Sequence, residues 1–257
     1  MNVGTRARPP ATAVVLVLTG LALALLDWVV RPNAEVLALT REGALIENTT
    51  AALYLIAAVL VLAWRDRRIA LASWIAVSLV MVAFAARELD LHKAWTTVSM
   101  LKARFWIGGG TPWAQKLAAT AVLAPLVWAG VTLLRRHARP VLQGWRRAEP
   151  VALTAITFVV TLVLVKLLDR ALDTAQSNFG LVAPTWLVAL EAVIEETTEL
   201  LLPLLVLLGL AQQRARPGPT PAGAARRPTW RVAGAAAPLP AGAALQLPGT
   251  PSRRGDR

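Results

Sequence analysis

Six stretches of this chain, near residues 11–30, 43–64, 69–91, 114–134, 151–172 and 185–210, are each predominantly apolar for about 20 residues. At about 1.5 Å of rise per residue, that is the length a helix needs to cross the roughly 30 Å hydrocarbon core of a bilayer. Lipid offers no hydrogen bonds, so each segment must satisfy its own backbone N–H and C=O groups, and a helix does this alone. The predicted fold class is therefore all-α, a polytopic membrane bundle of about six spans. Composition agrees, with 56% apolar and 16% charged residues against about 45–50% and 25% in soluble domains. A soluble enzyme is excluded on this ground. The absence of Cys removes disulfide, thiolate-zinc, iron–sulfur and Cys-nucleophile chemistry.

The opening MNVGTRARPP followed by an apolar run has the layout of a signal peptide. No A-x-A site ends the run, which continues to Trp28 and Val30, and it is read as a retained first span. Basic residues set the orientation. They gather at Arg6 and Arg8, at Arg65, Arg67 and Arg68, in the run from Arg135 to Arg147, and in the tail, which places 18 of the 27 on one side. Both termini are then expected in the cytoplasm and the protein in the inner membrane of a bacterium. Three parts follow: a short N-terminus over 1–10, a membrane domain over 11–210 with an outer interfacial segment at 93–113, and a tail over 211–257. The tail holds eight of the 17 Pro and shows no apolar period. It is predicted to be disordered, because it cannot bury enough surface to offset its chain entropy. The net charge of +12 is thus mainly positive-inside loops and tail, and no motif for binding nucleic acid accompanies it.

The acids sort the other way. Asp66, Glu149 and Asp256 fall on the basic side, and the remaining 12 of 15 fall outside or in the outer part of the spans. Acids contribute little to orientation, so topology does not account for the bias. The last span is the extreme case, since Glu191, Glu195 and Glu199 recur every four residues on one helical face beside Glu196. Counted from Thr185, Glu199 lies about 21 Å along the helix. A charge at that depth costs on the order of 2.5–3.5 kcal/mol. This face is therefore expected to turn into the bundle, toward Glu47 in span two, Glu88, Asp90 and His92 after span three, and Asp169 and Asp173 after span five.

Two chemistries suit such a cluster. Glu47, Glu88, Asp90, His92, Glu195, Glu196 and Glu199 could serve a hard divalent cation as oxygen and imidazole ligands. Alternatively, crowded and desolvated carboxyls favour holding a proton, which would make Glu195, Glu199 and Glu88 general acids toward a lipid-soluble substrate or carrier sites in a transporter. Lys102 and Arg104, in the outer segment whose Trp95, Val98, Leu101 and Phe105 follow helical spacing, are candidates to hold a lipid phosphate. Ser99 and Ser177 are the outer serines, and neither sits in a nucleophile-elbow context. A non-catalytic reading pairs the acids with Arg31, Arg41, Arg87, Arg104 and Arg170 in ion-pair networks that register the helices. The expected partners are the lipid bilayer and a lipid-soluble substrate; oligomeric state is left open.

The stretch RELDLHKAWTTVSMLKARFW resembles a group of bacterial multi-pass membrane proteins in which an Arg-Glu-x-Asp-x-His-Lys segment, a Thr-Thr pair and a basic-aromatic end follow one span, and a Glu-rich span closes the chain. The matching positions here are Arg87, Glu88, Asp90, His92, Lys93, Thr96, Thr97, Lys102, Arg104 and Phe105, with Glu195, Glu196 and Glu199 in the last span. The resemblance runs loosely over 35–210. It implies a focus on these residues and no particular reaction.

Overall fold

A computed structural model of the chain describes residues 11–41, 45–91, 99–100, 102–108 and 110–216, apart from the side chains of Asp169 and Asp173. His92, most of the outer segment and the tail beyond 216 lie outside the described residues, as do the expectations that fall on them. The elements are α1 (Thr12–Val30), α2 (Asn33–Leu39), α3 (Leu45–Ala63), α4 (Leu71–Glu88), α5 (Ala103–Ile107), α6 (Trp113–Arg146), α7 (Pro150–Phe179) and α8 (Thr185–Arg214). There is no strand among the described residues. The fold is an all-α polytopic helical bundle, and α1, α3, α4, α6 and α7 are each long and apolar enough to cross a membrane. α8 is as long as α7 but carries the four acids, which lower its apolar content.

The long helices alternate in direction, and their ends meet in two sets. At one end the first residue of α1 meets the last turn of α8, where Gln212 Nε2 donates to Thr12 Oγ1 at 3.0 Å, while Thr154 of α7 donates to Gln212 Oε1 at 2.7 Å. Arg214 lies over the Trp64 ring after α3, and Val61, Trp74 and Leu210 form a small core there. At the opposite end Trp28 of α1 donates to the Trp186 carbonyl at 3.1 Å, and Val36 of α2 packs with Ala24, Ala189 and Val193. α8 runs through the middle and packs on α1, α2, α3 and α7, whereas α6 lies to one side on α4 and α7. Gly20 of α1 makes close approach possible, since a Cβ there would meet Leu201 Cδ1 at 2.6 Å. Large apolar side chains on the outer faces, among them Leu18, Val59, Val127 and Leu164, remain exposed, as a lipid-facing surface requires.

Several boundaries differ from the sequence reading. α6 runs on past 134 to Arg146, so the Arg135–Arg147 run is mostly helix and not a loop. Its Ala, Leu, Gln and Arg residues favour helix. α8 continues past 210 because Gln212 and Arg214 have partners on α1, α7 and Trp64. The short α2 was not foreseen. Of the predicted outer interfacial helix, the described part is α5, where Phe105 is fully buried against Met100 and Ala119.

The chain has no Cys, so cysteines introduced in pairs report on packing without background. Thr12→Cys with Gln212→Cys should cross-link readily with a short bismaleimide in membranes, whereas Thr12→Cys with Trp186→Cys should not. The reverse pattern would overturn the antiparallel arrangement.

Candidate functional site: a charged cluster between four helices

The cluster is built where the end of α4 reaches the middle of α7 and α8. Glu199 is the fifteenth of the 30 residues of α8, buried on the side that faces α3, α4 and α7. Lys166, halfway along α7, donates to Glu199 Oε1 at 2.5 Å and stands 3.7 Å from Glu195 Oε1, one turn earlier on α8. The i, i+4 spacing of the two acids therefore grips one ammonium. Arg87 of α4 donates to the same Glu199 Oε1 at 3.1 Å and lies 3.6 Å from Glu88 Oε1. Glu88 is 7% exposed, and its carboxyl abuts that of Glu199, near enough for a carboxyl–carboxylate hydrogen bond. Tyr54 of α3, 1% exposed, lies within electrostatic reach of Glu88, Glu199 and Arg87. Pro203, one turn along α8, lacks the N–H that the Glu199 carbonyl would otherwise receive, which leaves a further acceptor beside the cluster.

Toward the acidic end, Glu196 is half-buried and within electrostatic reach of Glu195, Glu199 and, from the first turn of α3, Glu47. Glu191 is half-buried one turn further out. Toward the basic end the cluster is closed by an apolar layer. Ala85, Leu202 and Leu162 sit one turn below Glu88, Glu199 and Lys166, packed with Tyr54, Met81, Phe84 and Phe158. Tyr54 and Phe84 stack with centroids 5.3 Å apart, and Phe84 meets Phe158 edge-on at 6.4 Å. The site is thus approached through carboxylates on one side and blocked by hydrocarbon on the other.

Of the residues singled out in the sequence, Glu88, Glu195 and Glu199 come together, with Glu196 and Glu47 adjoining. Asp90 stands two residues past α4, half-buried in the left-handed region at φ 50, a conformation Asp tolerates. His92 is outside the described residues. Lys102 and Arg104 are exposed around α5. Among the described residues no group of three or more His, Asp and Glu side chains is arranged to hold a metal ion. Charge in the cluster is met instead by Lys166 and Arg87. Arg87 was among the basic residues expected to pair. Arg31 pairs with Asp27 at 2.5 Å, away from the cluster.

Lys166 and Tyr54 were missed by sequence reasoning. The signal for Lys166 was present, since a lone Lys inside VVTLVLVKLL is an intramembrane ionisable group. Tyr54 is the only Tyr in the chain, and nothing in its spacing separates it from other core residues. His137, in the basic run from Arg135 to Arg147, lies within α6, and its Nε2 is 2.9 Å from Ser73 Oγ of α4. Compared with known proteins, the chain matches no family model, no curated protein and no solved structure. Fold and site define a class, a polytopic helical membrane protein with a compensated charge cluster inside the bundle.

Removing one partner from a buried charge pair leaves the other uncompensated, at a cost of about 3–5 kcal/mol. Lys166→Met should destabilise the protein by about that much in reversible unfolding from mixed micelles. Adding Glu199→Gln should restore part of the loss, giving a non-additive double-mutant cycle; strict additivity would show that the two side chains do not interact.

Proposed function

We propose that the chain is a six-span protein of a bacterial inner membrane, with both termini cytoplasmic, whose outward-facing intramembrane site binds and releases a proton in the service of transport or membrane-embedded chemistry. The observation that carries this reading is the imbalance of the cluster. Among the described residues three carboxyls, on Glu88, Glu195 and Glu199, share two cations, on Lys166 and Arg87. A desolvated group of charges is favourable only near neutrality, and one proton shared between Glu88 and Glu199 supplies it. Among the described residues Glu88 Oε1 is buried with no hydrogen bond, its nearest cation being Arg87 at 3.6 Å, as befits a group whose bonding changes with its proton. Glu47, Glu195 and Glu196 provide a carboxylate approach from the acidic end, and the layer at Phe84, Leu162 and Leu202 limits leakage to the other.

Support for six spans comes from the position of α8. Its acids make it a poor span alone, but surrounded by α1, α2, α3 and α7 it has partners for its charged face. The positive-inside distribution supports cytoplasmic termini. The other reading is an assembly protein whose ion pairs only register the helices. The two-pronged hold of Lys166 on Glu195 and Glu199 suits it, while the Glu88 oxygen that makes no hydrogen bond among the described residues does not.

The test is proton binding itself. Purified protein in nanodiscs, titrated from alkaline to acid pH in deuterated and ordinary water, should show the infrared carbonyl band of one protonated carboxyl. That band should be lost or shifted in Glu88→Gln and in Glu199→Gln, with helical content retained. Proteoliposomes containing wild type but not Glu199→Gln should take up protons when acid is added outside. A band unaffected by either substitution would leave the ion-pair reading in place.

A further inference from the structure

At the basic end, below the apolar layer, α4, α6, α7 and α8, with Val61 of α3, frame an open cavity of about 530 Å3. Small residues open it, since Ala152, Ala155 and Gly209 line the faces of α7 and α8 where larger side chains would meet. Most of the wall is hydrocarbon, with Trp74, Val77, Val141, Val206 and Leu210 prominent. Its size is that of pockets that take small molecules, which are commonly apolar with few polar groups. Its polar side chains are Gln213 and two pairs. On the wall, Ser73 Oγ and His137 Nε2 lie 2.9 Å apart, with Ser73 only 4% exposed. At the rim, Arg216 Nη2 is 3.3 Å from Glu149 Oε2, and both side chains remain close to half exposed.

A Ser–His hydrogen bond between helices can be a simple tie, but a tie needs no cavity beside it. Here the pair faces a space large enough for a ligand. Ser73 is also the third residue of α4, where Leu71 and Ala72 have N–H groups with no intrahelical carbonyl to reach. A nucleophile, a base within hydrogen-bond distance and nearby backbone N–H donors are the parts of an acyl-transfer site.

We propose that Ser73 and His137 are a nucleophile–base dyad that cleaves the carboxylic ester of an amphiphile whose acyl chain occupies this cavity and whose anionic head meets Arg216. In the first step His137 Nε2 accepts the Ser73 hydroxyl proton as Oγ bonds to the acyl carbon, and the carbonyl electron pair moves onto oxygen near the first turn of α4. Collapse of this adduct breaks the carbon–oxygen bond to the alcohol, which leaves with the proton from His137. Water entering at the Arg216 rim then gives a proton to His137 and its hydroxyl to the acyl carbon. Ser73 recovers the proton as its bond to the acyl carbon breaks, and the chain departs as a carboxylic acid that gives its proton to water at the rim. Glu149 is engaged with Arg216, so the site works as a dyad without a carboxylate behind the imidazole.

This site is separate from the carboxylate cluster, and its test is independent of proton binding there. Full-length protein in phospholipid nanodiscs is treated with a long-chain alkyl fluorophosphonate, and the modified residue is located by peptide mass spectrometry. The expected adduct is on Ser73, absent in Ser73→Ala, and formed about 10²-fold or more slowly in His137→Gln, which keeps a hydrogen-bonding side chain but is no base. Ser78, buried and donating to the Ala58 carbonyl, should stay unmodified in all of them. Val206→Trp, which fills the cavity, should slow the long-chain probe at least tenfold while a methyl fluorophosphonate still labels Ser73. The proposal is overturned if wild type forms no Ser73 adduct, if His137→Gln labels at the wild-type rate, or if chain length makes no difference in Val206→Trp.

Discussion

A carboxylate halfway along a membrane helix is tolerable only if cations and donors replace the water it has lost. Glu199 meets that condition through Lys166 and Arg87, each from a different helix. Much of the architecture follows. α8 must be central, because its acidic face needs partners on two sides. α4 must end where it does, because Arg87 and Glu88 close its last turn against the middle of α8. α7 must be adjacent, because it alone among its neighbours supplies a Lys at the right depth. Packing of small residues then permits the close approach, as at Gly20 against Leu201.

The same constraint layers the molecule. Carboxylates lie toward one end, the compensated cluster comes next, an aromatic and aliphatic layer follows, and the Ser73–His137 cavity opens at the basic end. Each layer is one or two helical turns deep. Hydrocarbon between the polar regions bars water and protons from passing directly between the cluster and the cavity. The apolar layer also makes any passage of ions from end to end depend on a rearrangement around Tyr54, Phe84 and Phe158.

Legibility in the sequence tracked physical range. Apolar runs of spanning length and the alternation of Arg clusters are local signals, and the helices follow them closely between their ends. The acid ladder of Glu191, Glu195 and Glu199 is local too, and its inward face was foreseen from the cost of exposing it to lipid. Boundaries such as Arg146 and Arg214 were misplaced because hydropathy marks where lipid ends, while a helix continues as long as its backbone and side chains find partners. Lys166 stands apart from the Arg clusters that mark the helix ends, and only its setting in VVTLVLVKLL signals a charge inside the bundle.

The sequence by itself determined the class of fold and the uneven distribution of acidic and basic residues along the chain, since each depends on the order of residues along a helix and on the thickness of a bilayer. Only the tertiary structure decided which charges meet. Lys166 and Glu199 are 33 residues apart, Arg87 and Glu199 are 112 apart, and Ser73 and His137 are 64 apart. No periodicity links such positions. Their contacts arise from the rotation of each helix about its own axis, which is set by the packing of all its neighbours at once.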